Sequence, residues 1–590
     1  MSDYGAPPTI PSSLQVYNSY QEDPKWQKKF TIVWATAVGI AVLAALPQLI
    51  RAVRSRQAFT GLFGVWEDLS GSWYGPAAAQ EAIPPRRSRK VAALLRTVGS
   101  VLLWSPMGFG LDLGQIVVVV GYVATVLVCI TMQAPLMDNP NRAGFLAIAQ
   151  LPVVFLFGTK NSILSLLLGP GNGYEKLNYV HRWAGRGVFL GAAIHGSLWI
   201  RNHLQYDLPI LGQQKETSGV AAFALLCIIV LTSLRPVRVF FYQCFFIVHV
   251  LTYVAFFVTL CYHTIYASPW IYPPLAFYGL DLLMRMFRYR IKDATLVPAD
   301  DQMTLIHVRD CDGGWKAGQH VRLRVFFGGR VFESHPLTIM NAPAATSCTS
   351  TRTIALGARV KGDWTRALNR YAKEEQSRIA GALGEKKEDV AEIPVQVMLD
   401  GPYGGCSVDL GRYESVLLLA GGAGATFTLS LLDDIVGRCV KLGRRNGERT
   451  RRIEFAWAIR SFGCIEWFAP MLMEIASAAA GSSIDLHISV FVTCLCNPEA
   501  VPPIPNSMVT VEKPSIQTLL KELITPPAAR EDAESMKADL RWAGEGGGVA
   551  VCASGPERMT REAQNAVAKL SVSHGMRMGG IALHTELFSL

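Results

Sequence analysis

Residues 179–201 read YVHRWAGRGVFLGAAIHGSLWIR, and residues 239–263 read VFFYQCFFIVHVLTYVAFFVTLCYH. Spanning ~30 Å of hydrocarbon takes roughly 20 mainly apolar residues in a helix, and both stretches are long enough. Each carries two histidines fourteen residues apart: His181 with His195, and His249 with His263. At ~100° and ~1.5 Å per residue, fourteen steps return a side chain to within roughly 40° of its starting direction, about 21 Å further along the axis. Each helix therefore shows two imidazoles on one face, near opposite leaflets. Ionisable groups inside a bilayer are costly and read by default as functional. With the two helices side by side, the histidines form two facing pairs at two depths. Paired imidazoles fill both axial positions of an electron-transfer haem. The expectation is that His181 and His249 hold an inner haem, and His195 and His263 an outer one.

The rest of the chain fits that reading. Half of its 590 residues are hydrophobic, and they concentrate between about 30 and 287. Seven stretches qualify as spans, near 30–50, 113–136, 143–168, 179–201, 218–234, 239–262 and 270–286. The first 26 residues have no basic start followed by an apolar core, so the first span is expected to act as its own insertion signal. Cations favour cytoplasmic span ends. Arg51, Arg54, Arg56, Arg86, Arg87, Arg89, Lys90, Arg235, Arg238, Arg285, Arg288 and Arg290 all fall on one side if seven spans follow an outer N-terminus. Lys25, Lys28 and Lys29 lie on the other side and are outvoted. Arg182 and Arg186 flank the inner histidines, either as partners for haem propionates or as ordinary cytoplasmic anchors. His203, beyond the span, reads as a loop residue.

Much of the net charge of +10 sits in these clusters and in 438–452. Membrane lipids are thus expected as partners rather than nucleic acid, although Arg444–Arg452 reads equally well as a solvated face. Twelve cysteines without paired CxxC spacing predict neither a disulfide framework nor a zinc site, and Cys494 with Cys496 is the one close pair in sequence.

After Arg290 short alternating segments such as MTLIHV and HVRLRVFF predict a small antiparallel β-barrel. In ESHPLTIMN (333–341) Pro336 is expected to end a strand and Thr338 to present a hydroxyl near the barrel mouth. Lys361, Gly362, Asp363, Trp364 and Thr365 combine a cation, a turn and a hydroxyl in a pyrophosphate cradle. The charged segment from Tyr371 to Ile393 reads as a helical insertion. In SVLLLAGGAGATFTLSLLDDI a buried parallel strand ends at Gly421, and a glycine turn opens a helix whose free N–H groups suit a phosphate. The strand IEFAWAIR ends in Arg460, either a partner for a ribose 2′-phosphate, favouring NADPH, or a surface arginine. GGVAVCASGPERM ends in a turn at the same sheet edge.

Together these residues resemble the ferric reductase and NADPH oxidase superfamily, over roughly 140–590, and fungal ferric-chelate reductases in particular. The resemblance implies a helical transmembrane bundle of about seven spans, an antiparallel flavin barrel and an α/β nucleotide domain of ferredoxin-reductase type. The expected limits are an extracytoplasmic tail over 1–29, a haem-binding membrane domain over 30–287, an FAD domain over 288–410 and an NADPH domain over 411–590. FAD is implied near His335, Pro336, Leu337 and Thr338, with its phosphates near Lys361, Gly362, Trp364 and Thr365. NADPH is implied at Gly421, Gly422, Ala423, Gly424, Ala425 and Thr426, with Arg460, Ser554, Gly555 and Pro556. The implied activity moves electrons from cytosolic NADPH through FAD and two b-type haems to an extracytoplasmic Fe(III) or Cu(II) chelate, at the plasma membrane, with an iron-uptake permease or oxidase as partner. A superoxide-generating oxidase is the second reading and a membrane channel or receptor the third. The chain departs from the family at Ser554, where Cys-Gly-Pro is usual and Cys552 lies two residues earlier. It departs again at its terminus, where Leu590 follows Phe588 in place of a final aromatic.

Overall fold

The structure is a computed structural model that describes residues 17–54, 58–67, 90–106, 108–384, 392–494, 502–524 and 546–588. The expectations placed on the first 16 residues, Arg56, Arg86, Arg87, Arg89, Cys496 and Leu590 lie outside these residues. Two compact units divide the chain. One takes residues up to Ile50, Gln115–Leu168 and Gly173–Leu282; the other takes Arg51–Gly114, Gly169–Asn172 and everything from Leu283.

Among the described residues the helices up to Arg288 are, in chain order, α1 (Ser19–Arg54), α2 (Lys90–Leu102), α3 (Leu113–Thr131), α4 (Asn141–Ala149), α5 (Leu151–Gly158), α6 (Ile163–Leu168), α7 (Tyr174–Gln205), α8 (Gln214–Thr232), α9 (Arg235–Phe240), α10 (Tyr242–His263) and α11 (Ser268–Arg288). Among the described residues five segments are long and apolar enough to cross a membrane: α1, α3, α4 with α5, α8 and α10. The stretches expected at 179–201 and 270–286 fall in α7 and α11, which have the length without the apolarity. α7 carries Glu175, Lys176, Arg182, Arg186 and Arg201, and α11 carries Asp281, Arg285 and Arg288. The span expected over 143–168 is interrupted. Pro152 has no N–H to donate, and the helix restarts beside it, between α4 and α5. The run expected from 239 also breaks, at Phe241, whose φ of −133° separates α9 from α10.

The helical unit is apolar both inside and out. Phe30, Leu146 and Ala184 are enclosed, while Leu43, Val120 and Leu251 stand more than half exposed. An apolar surface of that extent suits lipid rather than water. Small residues set the closest helix contacts: a Cβ at Gly191 of α7 would lie 2.9 Å from the Ala143 carbonyl and 3.2 Å from the Ala147 Cβ of α4.

The second unit begins its sheets with β1 (Arg290–Pro298), β2 (Met303–Val308), β3 (Gln319–Val325), β4 (His335–Thr338), β5 (Ile354–Arg359) and β6 (Ile393–Gly404). They form an antiparallel sheet in the order β4-β3-β6-β1-β2-β5, and a bridge between Ile339 and Leu356 joins its two edges into a barrel. The alternating residues of β3 fill it, with Val321, Leu323 and Val325 buried. Helix α12 (Asp363–Leu383) plugs one side with Trp364, Leu368 and Ala372. It starts eight residues before the helix expected from Tyr371, because Gly362 caps it in extended conformation.

The remaining elements are β7 (Ser415–Gly421), α13 (Ala425–Cys439), β8 (Arg452–Ile459), α14 (Ala469–Ala479), β9 (Asp485–Val492), β10 (Ser507–Thr510), α15 (Ile516–Ile524), β11 (Val549–Gly555), α16 (Glu557–His574) and β12 (Ile581–Leu587). The strands form a parallel sheet, β10-β9-β8-β7-β11-β12. A parallel sheet is covered on both faces, so its strands read as continuous apolar runs. Here Val416, Leu418 and Ala420 face the cluster that includes α13 and α14, and Leu417 and Leu419 face α15 and α16.

Candidate functional site

Both histidine pairs assemble. The His181 and His249 ring centroids lie 6.3 Å apart, and those of His195 and His263 6.1 Å. Two imidazole nitrogens bound to one metal at about 2 Å each, with about 1 Å from nitrogen to ring centre, place the centroids ~6 Å apart. The spacing therefore fits an iron between each pair. The Nδ1 atoms of His181, His195 and His263 face the carbonyls of Val154 (2.8 Å), Pro140 (3.1 Å) and Lys215 (2.8 Å). A carbonyl only accepts, so each Nδ1 must carry the proton and Nε2 keeps its lone pair, the tautomer a metal ligand needs. His249 Nδ1 stands 3.3 Å from the Ser233 hydroxyl.

Facing glycines leave room for the rings. A Cβ at Gly158 would lie 2.6 Å from His181 Nδ1, and one at Gly219 would lie 2.6 Å from His263 Nδ1. Arg182 and Arg186 are exposed, and Arg186 lies over the Trp183 ring at 4.5 Å. His203 is in the last turn of α7 rather than in a loop, stacked on Trp199.

In the barrel, the expected flavin segment and the expected phosphate cradle meet. The His335 ring stacks on Trp364 with centroids 4.3 Å apart. Pro336 does not end a strand. It lies inside β4 at the sheet margin, where the lost N–H costs the ladder least. Leu337 packs against the barrel core and Thr338 is half-buried. Burial lowers the His335 imidazole below its ordinary value, against the pull of Glu333, 3.5 Å away.

The cradle is a helix N-terminus, a form that suits a phosphate. Lys361 and Gly362 are exposed, whereas Trp364 turns into the barrel, its indole N–H buried without a partner. Thr365 accepts from the amides of Lys361 (3.0 Å) and Gly362 (3.1 Å), so its hydroxyl closes the turn rather than facing outward freely.

At the parallel sheet the two expected nucleotide turns press against each other. A Cβ at Gly424 would collide with the Ser554 carbonyl and come within 3.0 Å of the Gly555 Cα; one at Gly421 would meet Pro556 at 2.7 Å. Gly422 has φ +55°, which glycine accepts without strain. Ala423 continues that turn, and Ala425 and Thr426 open α13 as buried residues. These glycines keep a close-fitting cradle at the carboxyl edge of the sheet, where open α/β sheets bind ligands. Arg460 stands exposed one residue past β8. Ser554 lies near the end of β11, opposite Ala420 and Glu586, with its hydroxyl buried and unpartnered, while Cys552 is two residues further back on the same strand, opposite Leu418 and His584.

Sequence reasoning missed several neighbours. Arg359 ends β5 and reaches within 2.7 Å of where a Gly422 Cβ would be; a cation two residues before Lys361 was the available signal. Cys406 and Cys552 bring their sulfurs to 3.6 Å across 146 residues. Burial raises the Cys406 thiol, but the Cys552 contact and His584 outweigh it and bring it down to about 7, while Cys552 is raised. Phe588 donates its N–H to the Gly555 carbonyl at 3.0 Å and packs on the core beneath the turn.

Three family models match in chain order: a ferric reductase-like transmembrane component over 143–260, an FAD-binding domain over 286–407 and a ferric reductase NAD-binding domain over 413–568. Over these three stretches the chain is similar to the ferric reductase family and its FAD- and NAD-binding domains. The chain is 28% identical over 359 residues to ferric reductase transmembrane component 3 of Saccharomyces cerevisiae, covering 59% of this chain and 46% of that protein. It is 25% identical over 364 residues to the ferric/cupric reductase transmembrane component 2 of the same yeast, covering 59% and 46%. It is also 29% identical over 242 residues to respiratory burst oxidase homolog protein D of Arabidopsis thaliana, covering 37% and 26%. The matches to these yeast proteins thus span a little under half of their length.

Proposed function

We propose that the chain is an NADPH-dependent metalloreductase that carries electrons across a membrane to an Fe(III) or Cu(II) chelate. The observation that carries this reading is the pair of facing histidine sets, each spaced for one metal, with Nδ1 of His181, His195 and His263 engaged so that their Nε2 atoms are left to bind. Two b-type haems, FAD and NADPH supply the redox chemistry when bound, and the protein's part is to hold and orient them. His181 with His249 and His195 with His263 hold the haems. The β4 segment from His335 to Thr338 and the N-terminus of α12 hold the flavin and its phosphates. The Gly421–Thr426 and Ser554–Pro556 turns hold the nucleotide, with Ser554 rather than Cys552 beside the nicotinamide and Arg460 at the 2′-phosphate. The basic residues after α1, between α8 and α10 and at the end of α11 support seven spans, an outer N-terminus and a cytosolic dehydrogenase. The plasma membrane is the location proposed, with an iron-uptake permease or oxidase as partner.

His195 and His263 would hold an outer haem that would supply single electrons to a chelate, so no protein acid or base is assigned there. The test is anaerobic NADPH-driven reduction of an Fe(III) chelate by membranes containing the chain, with a haem difference spectrum recorded in parallel. Chelate reduction that depends on His195 is expected. Haem reduction without chelate reduction, with superoxide formed once air is admitted, would instead assign the chain to the oxidases, which the likeness to a respiratory burst oxidase homolog keeps as the second reading.

A further inference from the structure

Helix α2 has two faces with opposite attachments. At ~100° per residue, Ala93, Arg96, Thr97 and Ser100 fall on one side, and Val91, Leu94, Leu95, Val98 and Leu102 on the other in a stripe about 100° wide. The first side is fixed to the nucleotide domain. Arg96 donates to the Gly579 carbonyl at 3.2 Å and lies over the Tyr413 ring at 4.5 Å, and the Ser100 hydroxyl donates to the Ile581 carbonyl. Beyond the helix, the Ser105 amide donates to Asn565 at 2.9 Å and Asn565 returns a bond to the Ser105 carbonyl at 3.1 Å. The fit is close enough that a Cβ at Gly580 would lie 2.8 Å from the Arg96 Cβ.

The second side is bare: Val91 is 71% exposed, Leu95 67% and Leu94 50%, and Trp104 and Phe109, which follow in sequence, are exposed as well. A stripe of that kind marks an interaction surface. Three features identify its occupant. Lys90 opens the helix, and Arg86, Arg87 and Arg89 precede it in sequence, so the charge at this end complements an anionic leaflet. The chain runs on from α2 into α3, which starts at Leu113 and is apolar enough to cross a membrane. Thirteen residues are too few to span hydrocarbon but suit a helix lying in the interface.

We propose that α2 is an interfacial strap: its apolar stripe lies in the cytoplasmic leaflet while its polar side grips β12 and α16, holding the nucleotide domain against the lipid surface. The assignment rests on α3 crossing the bilayer, but it depends on neither the haems nor the acceptor. It is tested on the full-length chain in nanodiscs of phosphatidylcholine and phosphatidylserine, with a photoreactive benzophenone residue replacing Leu95 and, separately, Val98. Arg370, exposed on α12, is the control position. After irradiation, intact-mass measurement is expected to show single-lipid adducts at 95 and 98 in about tenfold excess over position 370. Adducts no more abundant than at 370 would overturn the proposal, as would cross-links to protein, whether within the chain or to a second copy. Nucleotide-driven flavin reduction, measured on each variant, confirms that it is folded, and the adduct yield reads the strap even in a chain that reduces no chelate.

Discussion

The helical unit and the dehydrogenase unit build their sites by opposite means. In the first, four side chains of one type repeat at one interval on two helices, and the distance within each pair is nearly the same, 6.3 and 6.1 Å. In the second, the site is made of turns more than a hundred residues apart whose shape comes from what is missing, a Cβ at Gly421, Gly424 and Gly555. On the proposed reading the first is a set of ligands and tolerates changes around it that keep the nitrogens in place; the second is a mould and tolerates no added atom. Changes that add one methyl group should therefore separate the two.

The largest effect is expected at the mould. Gly424→Ala forces a methyl into the Ser554 carbonyl, and displacements of about 1 Å near a reacting centre cost on the order of 100-fold. Flavin reduction by NADPH in stopped flow should fall by about that factor while haem content stays unchanged. Gly158→Ala applies the same change beside His181, where overpacking costs ~1–3 kcal/mol. Haem absorbance per chain should drop, and the rate of flavin reduction should not. Equal losses of both signals in either variant would erase the distinction between the units.

A finer test concerns charge. If Arg460 meets the 2′-phosphate as proposed, Arg460→Ala removes a charge-assisted contact worth ~1.5–3 kcal/mol and should raise KM for NADPH about tenfold with KM for NADH and kcat little changed. The smallest effect lies in the proposed ligand set, where His249 differs from the other three by facing a hydroxyl instead of a carbonyl. Ser233→Ala removes a bond worth ~1 kcal/mol, equivalent to about 40 mV for a one-electron couple. Redox titration should shift one haem by that order and leave the other in place.

The same contrast explains what could be read from sequence. Length and apolarity located five of the seven expected spans, and the interval of fourteen located the histidines, because both are local and periodic. The interruption at Pro152 could be read from its missing N–H; the break at Phe241 could not. The start of α12 was misplaced because its signal is the extended backbone of Gly362, not the composition of the charged stretch that follows. Gly158 and Gly219 gave no signal, since a glycine in an apolar helix is unremarked until the facing ring is known. The contact between Cys406 and Cys552 joins a barrel loop to a parallel strand and has no local signature. Helix α2 escaped for a similar reason: it is too short for a span, and its polar side finds its partners at Gly579 and Ile581, nearly five hundred residues away.

The central claim is that each histidine pair holds its own haem. It is tested most directly by counting haem per chain through its pyridine complex in the purified protein, in His181→Ala and in His195→Ala, with low-temperature electron spin resonance on each. The account predicts about two low-spin haems in the unaltered chain and about one, still low-spin, in each variant. An unaltered chain that binds one haem, or variants that retain two, would contradict it.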